Sequence, residues 1–389
     1  MSVRKASQSE RTVTSSEQRF EQLAKTNPLF GARQLKLGTF CSNVSNGATM
    51  STMDGVFDLT WENSRKLARM ADEMDFEAIV PIGRWRGSGG STDFNGSSFE
   101  PLTFSAGMAA CTSNPSVFAT VHVPSLHPVT AAKQATTVDH ISGGRFTLNI
   151  VTGWNKAEMD MFGSAMKEHE ERYQVADEWI SLMKLLWTSQ EPVKFEGKYF
   201  NVRDAYLRPQ PIQPYPALMS AGASPAGRRF AAKHCDIAFT ALTERNNSAV
   251  IRKQLDSFRQ IAREEFGRDV KTWINAYIFM GDTEADAQKK FDYCVGEKGD
   301  HVGVENLFRE LGLNSLTHTE EARRKLKQDF MGGWAGFRLL GTKEKIIDDM
   351  RMLADAGVDG MLLSWPAYMD DMKQFQEEVY PLLQQAGLR

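Results

Sequence analysis

From Leu35 onward the chain alternates short apolar runs with amphipathic helical stretches, and eight such runs have strand length. That rhythm builds βαβ units and a parallel sheet, because parallel neighbours need a crossover long enough to hold a helix. The strand candidates are 35–41, 77–80, 117–123, 146–151, 217–221, 237–240, 272–279 and 360–364. Eight parallel strands separated by helices can close on themselves. The expected fold is therefore α/β, a (β/α)8 TIM barrel with insertion segments, spanning 35–389 as one domain. The length of 389 residues with 41% hydrophobic content would also allow two average domains, but the repeated βα pattern favours one.

Punctuation supports the helices. Leu67, Ala68, Ala71 and Met74 share one helical face, and Pro128 stands at a first-turn position after His127. Ile346, Ile347, Met350, Leu353 and Ala354 form a stripe that Gly357 stops before the strand Met361-Leu362-Leu363. Two stretches break the rhythm. Phe195-Glu196-Gly197-Lys198-Tyr199-Phe200 reads as a hairpin, and 296–338 is too long for a simple βα connection, so it is expected to form a substrate lid. Residues 1–34 are polar without a sustained apolar period and read as an arm, mobile or strapped over a neighbouring subunit.

A net charge of -3 and a pI near 6.2 give no general attraction for nucleic acid or anionic membrane. No apolar run approaches the ~20 residues that span a bilayer, and the Lys-, Arg-, Ser- and Glu-rich start lacks the apolar core of a secretion signal. The expected location is cytoplasmic. Cys41, Cys111, Cys235 and Cys294 are far apart and read as reduced packing residues.

Chemistry concentrates where strands end. Ile141 to Trp154 reads as helix end, buried strand and loop in succession, with Gly143-Gly144 suited to the left-handed turn that stops a helix. Asn149 interrupts the buried strand, so its amide is either a structural tie or a ligand contact. After the second strand comes Pro81-Ile82-Gly83-Arg84-Trp85-Arg86-Gly87-Ser88-Gly89-Gly90, either a solvated loop or a backbone able to approach a planar ligand, with stacking and anion pairing nearby. In Ala221-Gly222-Ala223-Ser224-Pro225-Ala226-Gly227-Arg228-Arg229, Ser224 is a plausible N-cap and Pro225 the first helical residue. Such a terminus suits a phosphate, or is an ordinary capped helix. His122 and His127 lack the partners of a metal site, and a G-x-S-x-G elbow, a Walker A loop and a Rossmann G-x-G-x-x-G after a strand are all missing. An organic cofactor would then carry the chemistry.

Taken jointly, several motifs resemble the bacterial-luciferase-like flavin-dependent monooxygenases. They are the loop after strand two, the third strand, Asn149 with Thr152-Gly153-Trp154, His169-Glu170-Glu171-Arg172-Tyr173, the hairpin, Ser224 and the closing Gly357-Val358-Asp359-Gly360. The resemblance is closest to the pyrimidine-oxygenase, alkanesulfonate and dimethyl-sulfone branches. It implies a two-component enzyme that takes reduced FMN (FMNH2) from a separate NAD(P)H-dependent flavin reductase and uses O2 to oxygenate a small organic substrate, as a homodimer or homotetramer. It places Gly83, Arg84, Asn149, Glu158, Arg172, Tyr173 and Ser224 at the flavin, the last three near its phosphate. It gives Thr120 and Asn149 the catalytic role of holding oxygen beside the ring, for which neutral hydrogen-bond donors are suited.

The chain departs from the pyrimidine oxygenases at Gly83, at Arg84, and along Val121-His122-Val123-Pro124-Ser125. His122 and Trp85 could line a substrate pocket or pack behind the flavin, and Arg84 or Arg86 could meet an anionic sulfonate. An N-heterocycle or amide-like ring is the favoured substrate and a sulfone or alkanesulfonate the next. A deazaflavin-dependent oxidoreductase and a non-enzymatic flavin-binding barrel are the other readings.

Overall fold

The computed structural model describes residues 15–313 and 319–389, so 1–14 of the arm and 314–318 of the expected lid lie outside the described residues. The strands are β1 (Lys36–Phe40), β2 (Ala78–Val80), β3 (Ser116–His122), β4 (Phe146–Val151), β5 (Val193–Glu196) and β6 (Asn201–Ala205). They continue with β7 (Ala217–Ser220), β8 (Ile237–Phe239), β9 (Lys271–Met280), β10 (Phe337–Gly341) and β11 (Gly360–Ser364). The helices are α1 (Ser16–Leu23), α2 (Trp61–Glu73), α3 (Pro101–Cys111), α4 (Pro128–Ile141), α5 (Lys156–Met161), α6 (His169–Thr188) and α7 (Pro225–His234). After them come α8 (Ser248–Phe266), α9 (Glu284–Asp292), α10 (His301–Glu310), α11 (Glu320–Gly333), α12 (Lys343–Asp355), α13 (Tyr368–Gln374) and α14 (Tyr380–Gln385).

Eight strands close into a parallel barrel in the order β11-β1-β2-β3-β4-β7-β8-β9, with β9 returning to β11. These are the eight candidates of the sequence, with ends shifted by no more than one residue. The hairpin is present as the antiparallel pair β5–β6. A ninth parallel strand, β10, went unread: its burial alternates, with Arg338 inside it, so it lacks a continuous apolar run. It pairs with β9 from Phe337↔Ala276 to Gly341↔Met280, beyond the stretch 271–273 that β8 occupies. The described residues of 296–338 therefore include α10 and α11 and then enter this strand.

Local signals act as their chemistry requires. The His127 ring accepts from the Val129 amide ahead of Pro128 at the start of α4, and Gly143 and Gly144 carry φ of 67° and 88° at its end. Such angles cost an L side chain energy and cost glycine none. β4 then starts at Phe146 and is buried almost throughout.

One hydrophobic cluster draws Phe40, Val80, Phe118, Met219, Ile237, Trp273 and Leu362 from seven of the eight barrel strands. Their strand neighbours Leu37, Ile79, Val117, Ile274 and Leu363 belong to clusters shared with the helices, so strand alternation separates a filled interior from a helix-covered exterior. Leu29 joins the interior cluster from below, and Arg19 of α1 pairs with buried Asp236 beside the start of β8. The described part of the arm thus covers the barrel's own base, leaving the opposite end for a site.

Candidate active site

Parallel pairing of β3 with β4 puts Thr120 directly beside Asn149. Asn149 Nδ2 donates to Thr120 Oγ1 at 3.1 Å, and Thr120 Oγ1 donates to the Pro81 carbonyl at 2.6 Å. Asn149 Oδ1 is buried with no hydrogen-bond partner among the described residues. A buried amide oxygen left unpaired is costly, so this arrangement is not explained by strand stability alone.

The loop after β2 is organised by a carboxylate from α5. Glu158 Oε1 accepts the amides of Trp85 at 3.0 Å and Arg86 at 3.3 Å, and stands 2.9 Å from Arg84 Nε. That last contact is an ion pair without hydrogen-bond alignment, since Arg84 Nε has no hydrogen-bond partner. Arg84 Nη2 donates to the Arg86 carbonyl at 2.6 Å, and its guanidinium carbon lies 5.1 Å from the Trp154 ring centroid. Burial raises the Glu158 carboxyl above the ordinary range, while Arg84 and the two amides oppose the shift. The Glu158 to loop bonds turn Trp85 outward, where it is 36% exposed and meets Phe162 edge-on at 5.0 Å. His122 is buried, its Nδ1 has no partner, and burial with the nearby Arg84 charge lowers its pKa to about 4, so the ring is neutral at pH 7.

On the other side, Ser224 caps α7 by accepting the Gly227 amide at 3.1 Å, with Pro225 at the first helical position. Gly222 and Gly227 must both be glycine: a Cβ on either would fall 2.6 Å from the other's Cα and within 2.8 Å of the Tyr173 hydroxyl. The hydroxyl therefore rests against the helix start. Arg172, one residue earlier on α6, donates to the Gly153 carbonyl and keeps a buried Nε without a partner.

These groups surround a cavity of about 490 Å³ at the C-terminal ends of the strands, where barrels of this type place their sites and within the size range of cofactor pockets. Its wall includes Gly83, Arg84, Thr120, His122, Asn149, Arg172, Tyr173 and Ser224. Glu158 stands behind the wall and reaches the cavity through Arg84, while Trp85 and Arg86, expected in a substrate pocket, are not on it. The wall also has members that sequence reasoning missed: Phe40, Met219, Phe239, Leu311 and Trp334. Phe40 and Phe239 end barrel strands and Met219 is the last but one of its strand, so all three could have been found by position, whereas Leu311 and Trp334 follow the insertion helices α10 and α11 and carried no local signal. Among the described residues no cluster of three or more His, Cys, Asp or Glu could hold a metal, and no helix is long and apolar enough to cross a membrane.

The luciferase-like monooxygenase family model matches residues 35–360. The chain is 28% identical to pyrimidine monooxygenase RutA of Acinetobacter baylyi over 361 residues, covering 90% of this chain and 95% of that protein. It is 29% identical to the FMNH2-dependent dimethylsulfone monooxygenase of Pseudomonas putida over 360 residues, covering 91% and 96%. A riboflavin lyase solved with modified FMN and riboflavin shares the fold with a TM-score of 0.80 at 21% identity, over 92% of each chain. With barrel, cavity position and family model in agreement, the chain belongs to the luciferase-like flavin-dependent monooxygenases.

Proposed function

We propose that this enzyme is a two-component monooxygenase that binds reduced FMN and uses O2 to oxygenate a small organic substrate. The observation that carries the reading is the Thr120–Asn149 pair on the cavity wall, hydrogen-bonded at 3.1 Å with Asn149 Oδ1 unpaired. The cavity fits FMN chemically. Apolar Phe40, Ile82, Ile150, Met219 and Trp334 offer a slot for a planar ring. Arg172, the Tyr173 hydroxyl and the N-terminus of α7 at Ser224 gather donors and positive charge for a phosphate. Ser224 Oγ accepts the Gly227 amide and keeps its own proton to donate.

When bound, reduced flavin supplies the electrons that activate oxygen. The protein's part is to bind, orient and shield. Thr120 gives its proton to the Pro81 carbonyl and orients Asn149. Asn149 keeps its second Nδ2 proton to donate where charge develops on oxygen and its Oδ1 to accept from a donor on the ring, without a strong acid. Glu158 and Arg84 hold the strand-two loop at the ring end. Helices α10 and α11 act as a lid: Leu311 and Trp334 at their ends stand on the wall, and Glu310 accepts from Ser88 at 3.0 Å and Asn155 at 3.2 Å, tying α10 to two active-site loops. Sequestering the cavity would keep water from the place where oxygen is activated.

A separate NAD(P)H-dependent reductase would supply FMNH2, in keeping with the lack of a dinucleotide fingerprint and with the FMNH2 dependence of the dimethylsulfone relative. The proposal extends to a homodimer or homotetramer in the cytoplasm and to an N-heterocyclic or amide-like substrate, with a sulfone as the second choice. The test is anaerobic mixing with reduced FMN followed by an oxygen pulse, with absorbance recorded in milliseconds. The expected result is a transient spectrum unlike free reduced or oxidised FMN, whose decay a substrate accelerates. Oxidation at the free-flavin rate, with and without candidate substrates, would count against the proposal and turn attention to hydride transfer with a deazaflavin.

A further inference from the structure

Arg84 is a cation on the cavity wall beside the strand-two loop, with a side chain only 1% exposed, and it is already compensated. Fully buried Glu158 stands 2.9 Å from its Nε, and a second carboxylate, Glu310 from the end of α10, stands 3.9 Å from its Nη2. Glu310 is fixed there by Ser88 and Asn155. The neighbouring His122 is neutral at pH 7 and adds no positive charge. Arg86 is exposed to solvent, which screens its charge. Arg172 is also on the wall, where its guanidinium is engaged by the Gly153 carbonyl. Two carboxylates therefore face one buried guanidinium. An anion placed here would lose its hydration and meet no net positive charge. Arg84 Nη1 nevertheless has no partner among the described residues, so one N–H remains to be given to an accepting oxygen.

We infer that this end of the cavity selects uncharged substrates bearing a carbonyl or sulfonyl oxygen, and that Glu310 is the specificity-determining residue that rejects carboxylates and sulfonates. The inference rests on the reading of the cavity as the reaction chamber. It makes the insertion part of substrate choice, through a residue distant in sequence from Arg84.

Matched probes test it: benzamide against benzoate, and dimethyl sulfone against methanesulfonate, titrated into the full-length flavin-free protein by ligand-observed NMR. The expected result is that each neutral probe binds at least about tenfold tighter than its anion, and that Glu310→Gln narrows that ratio about tenfold by strengthening the anion, as removal of a nearby charge requires. Glutamine keeps an accepting oxygen for Ser88 and Asn155. Arg84→Met, as a second variant, should weaken benzamide by removing the N–H given to its carbonyl, and should leave benzoate no tighter, because both carboxylates remain. Equal or tighter binding of the anions to the unaltered protein, an unchanged ratio in Glu310→Gln, or no binding of either neutral probe would overturn the inference. A parallel FMN titration separates the two readings: failure to bind FMN defeats the proposed function, while the probe ratio still reports the charge preference of the cavity.

Discussion

Two buried arginines mark the two ends of the barrel, and their surroundings differ. At the base, Arg19 makes a two-point pair with Asp236, Nε to Oδ1 and Nη2 to Oδ2 both at 2.6 Å, reaches the Pro216 carbonyl at 3.3 Å, and lies 3.6 Å from the Tyr215 ring centroid. Asp236 also accepts from Arg268 at 3.4 Å and from the Leu218 amide at 3.0 Å. At the mouth, Arg84 has carboxylates on two sides yet keeps Nη1 unpaired, and Asn149 Oδ1, His122 Nδ1 and Arg172 Nε around the same cavity are unpaired as well. Burial is similar, and satisfaction is not. A buried arginine saturated with partners serves stability, while a cluster of unpaired groups around one cavity is left for a ligand.

The contrast can be broken at either end. The largest effect is expected at the base. Asp236→Ala strands Arg19 and should cost about 3–5 kcal/mol of unfolding free energy, read from denaturant midpoints. FMN affinity of the folded fraction should not change; a loss of FMN affinity as large as the loss of stability would erase the division of labour. At the mouth, Asn149→Ala should spare the fold but lower product formation about 10²- to 10³-fold, the size of effect seen when one hydrogen-bonding group at a developing oxyanion is removed. Reduced flavin should still be consumed, so oxygen uptake and product yield part company. Unchanged coupling would remove Asn149 from the chemistry.

His122 sharpens the comparison through pH. Its pKa is lowered from 6.5 to about 4 in the fold, so the unfolded chain binds the extra proton in that window. Its share of stability is complete above about pH 6.5 and disappears as pH falls through 4, amounting to about 3 kcal/mol between pH 7 and pH 4. His122→Phe should flatten the acid limb of the stability curve by about that amount, and parallel curves for the two proteins would show that the ring is not held neutral. The smallest effect is expected from Ser224→Ala, about 0.5–2 kcal/mol in FMN binding. Identical FMN titrations would reduce Ser224 to a helix cap.

The site was partly legible for the same reason as the fold. Thr120 and Asn149 lie in the C-terminal halves of their strands and Ser224 in the loop after β7, and a parallel barrel gathers such ends, so the linear pattern already implied their meeting. Glu158 and Trp85 show where this logic stops. Their roles depend on which way the strand-two loop turns, and that is decided by two amides finding one buried carboxylate. β10 escaped because an edge partner with Arg338 inside it has no continuous apolar signature.

By itself the sequence determined the repeating βα pattern, the eight barrel strands, the capped start of α7 and the stop at Gly143-Gly144, since each depends on hydrophobic period or backbone preference within a few residues. Tertiary structure alone decided that Glu310 stands beside Arg84, that Leu311 and Trp334 close the cavity, and that Arg19 locks onto Asp236. Those contacts join residues about 200 positions apart. They follow from how finished elements pack, which no local window of sequence contains.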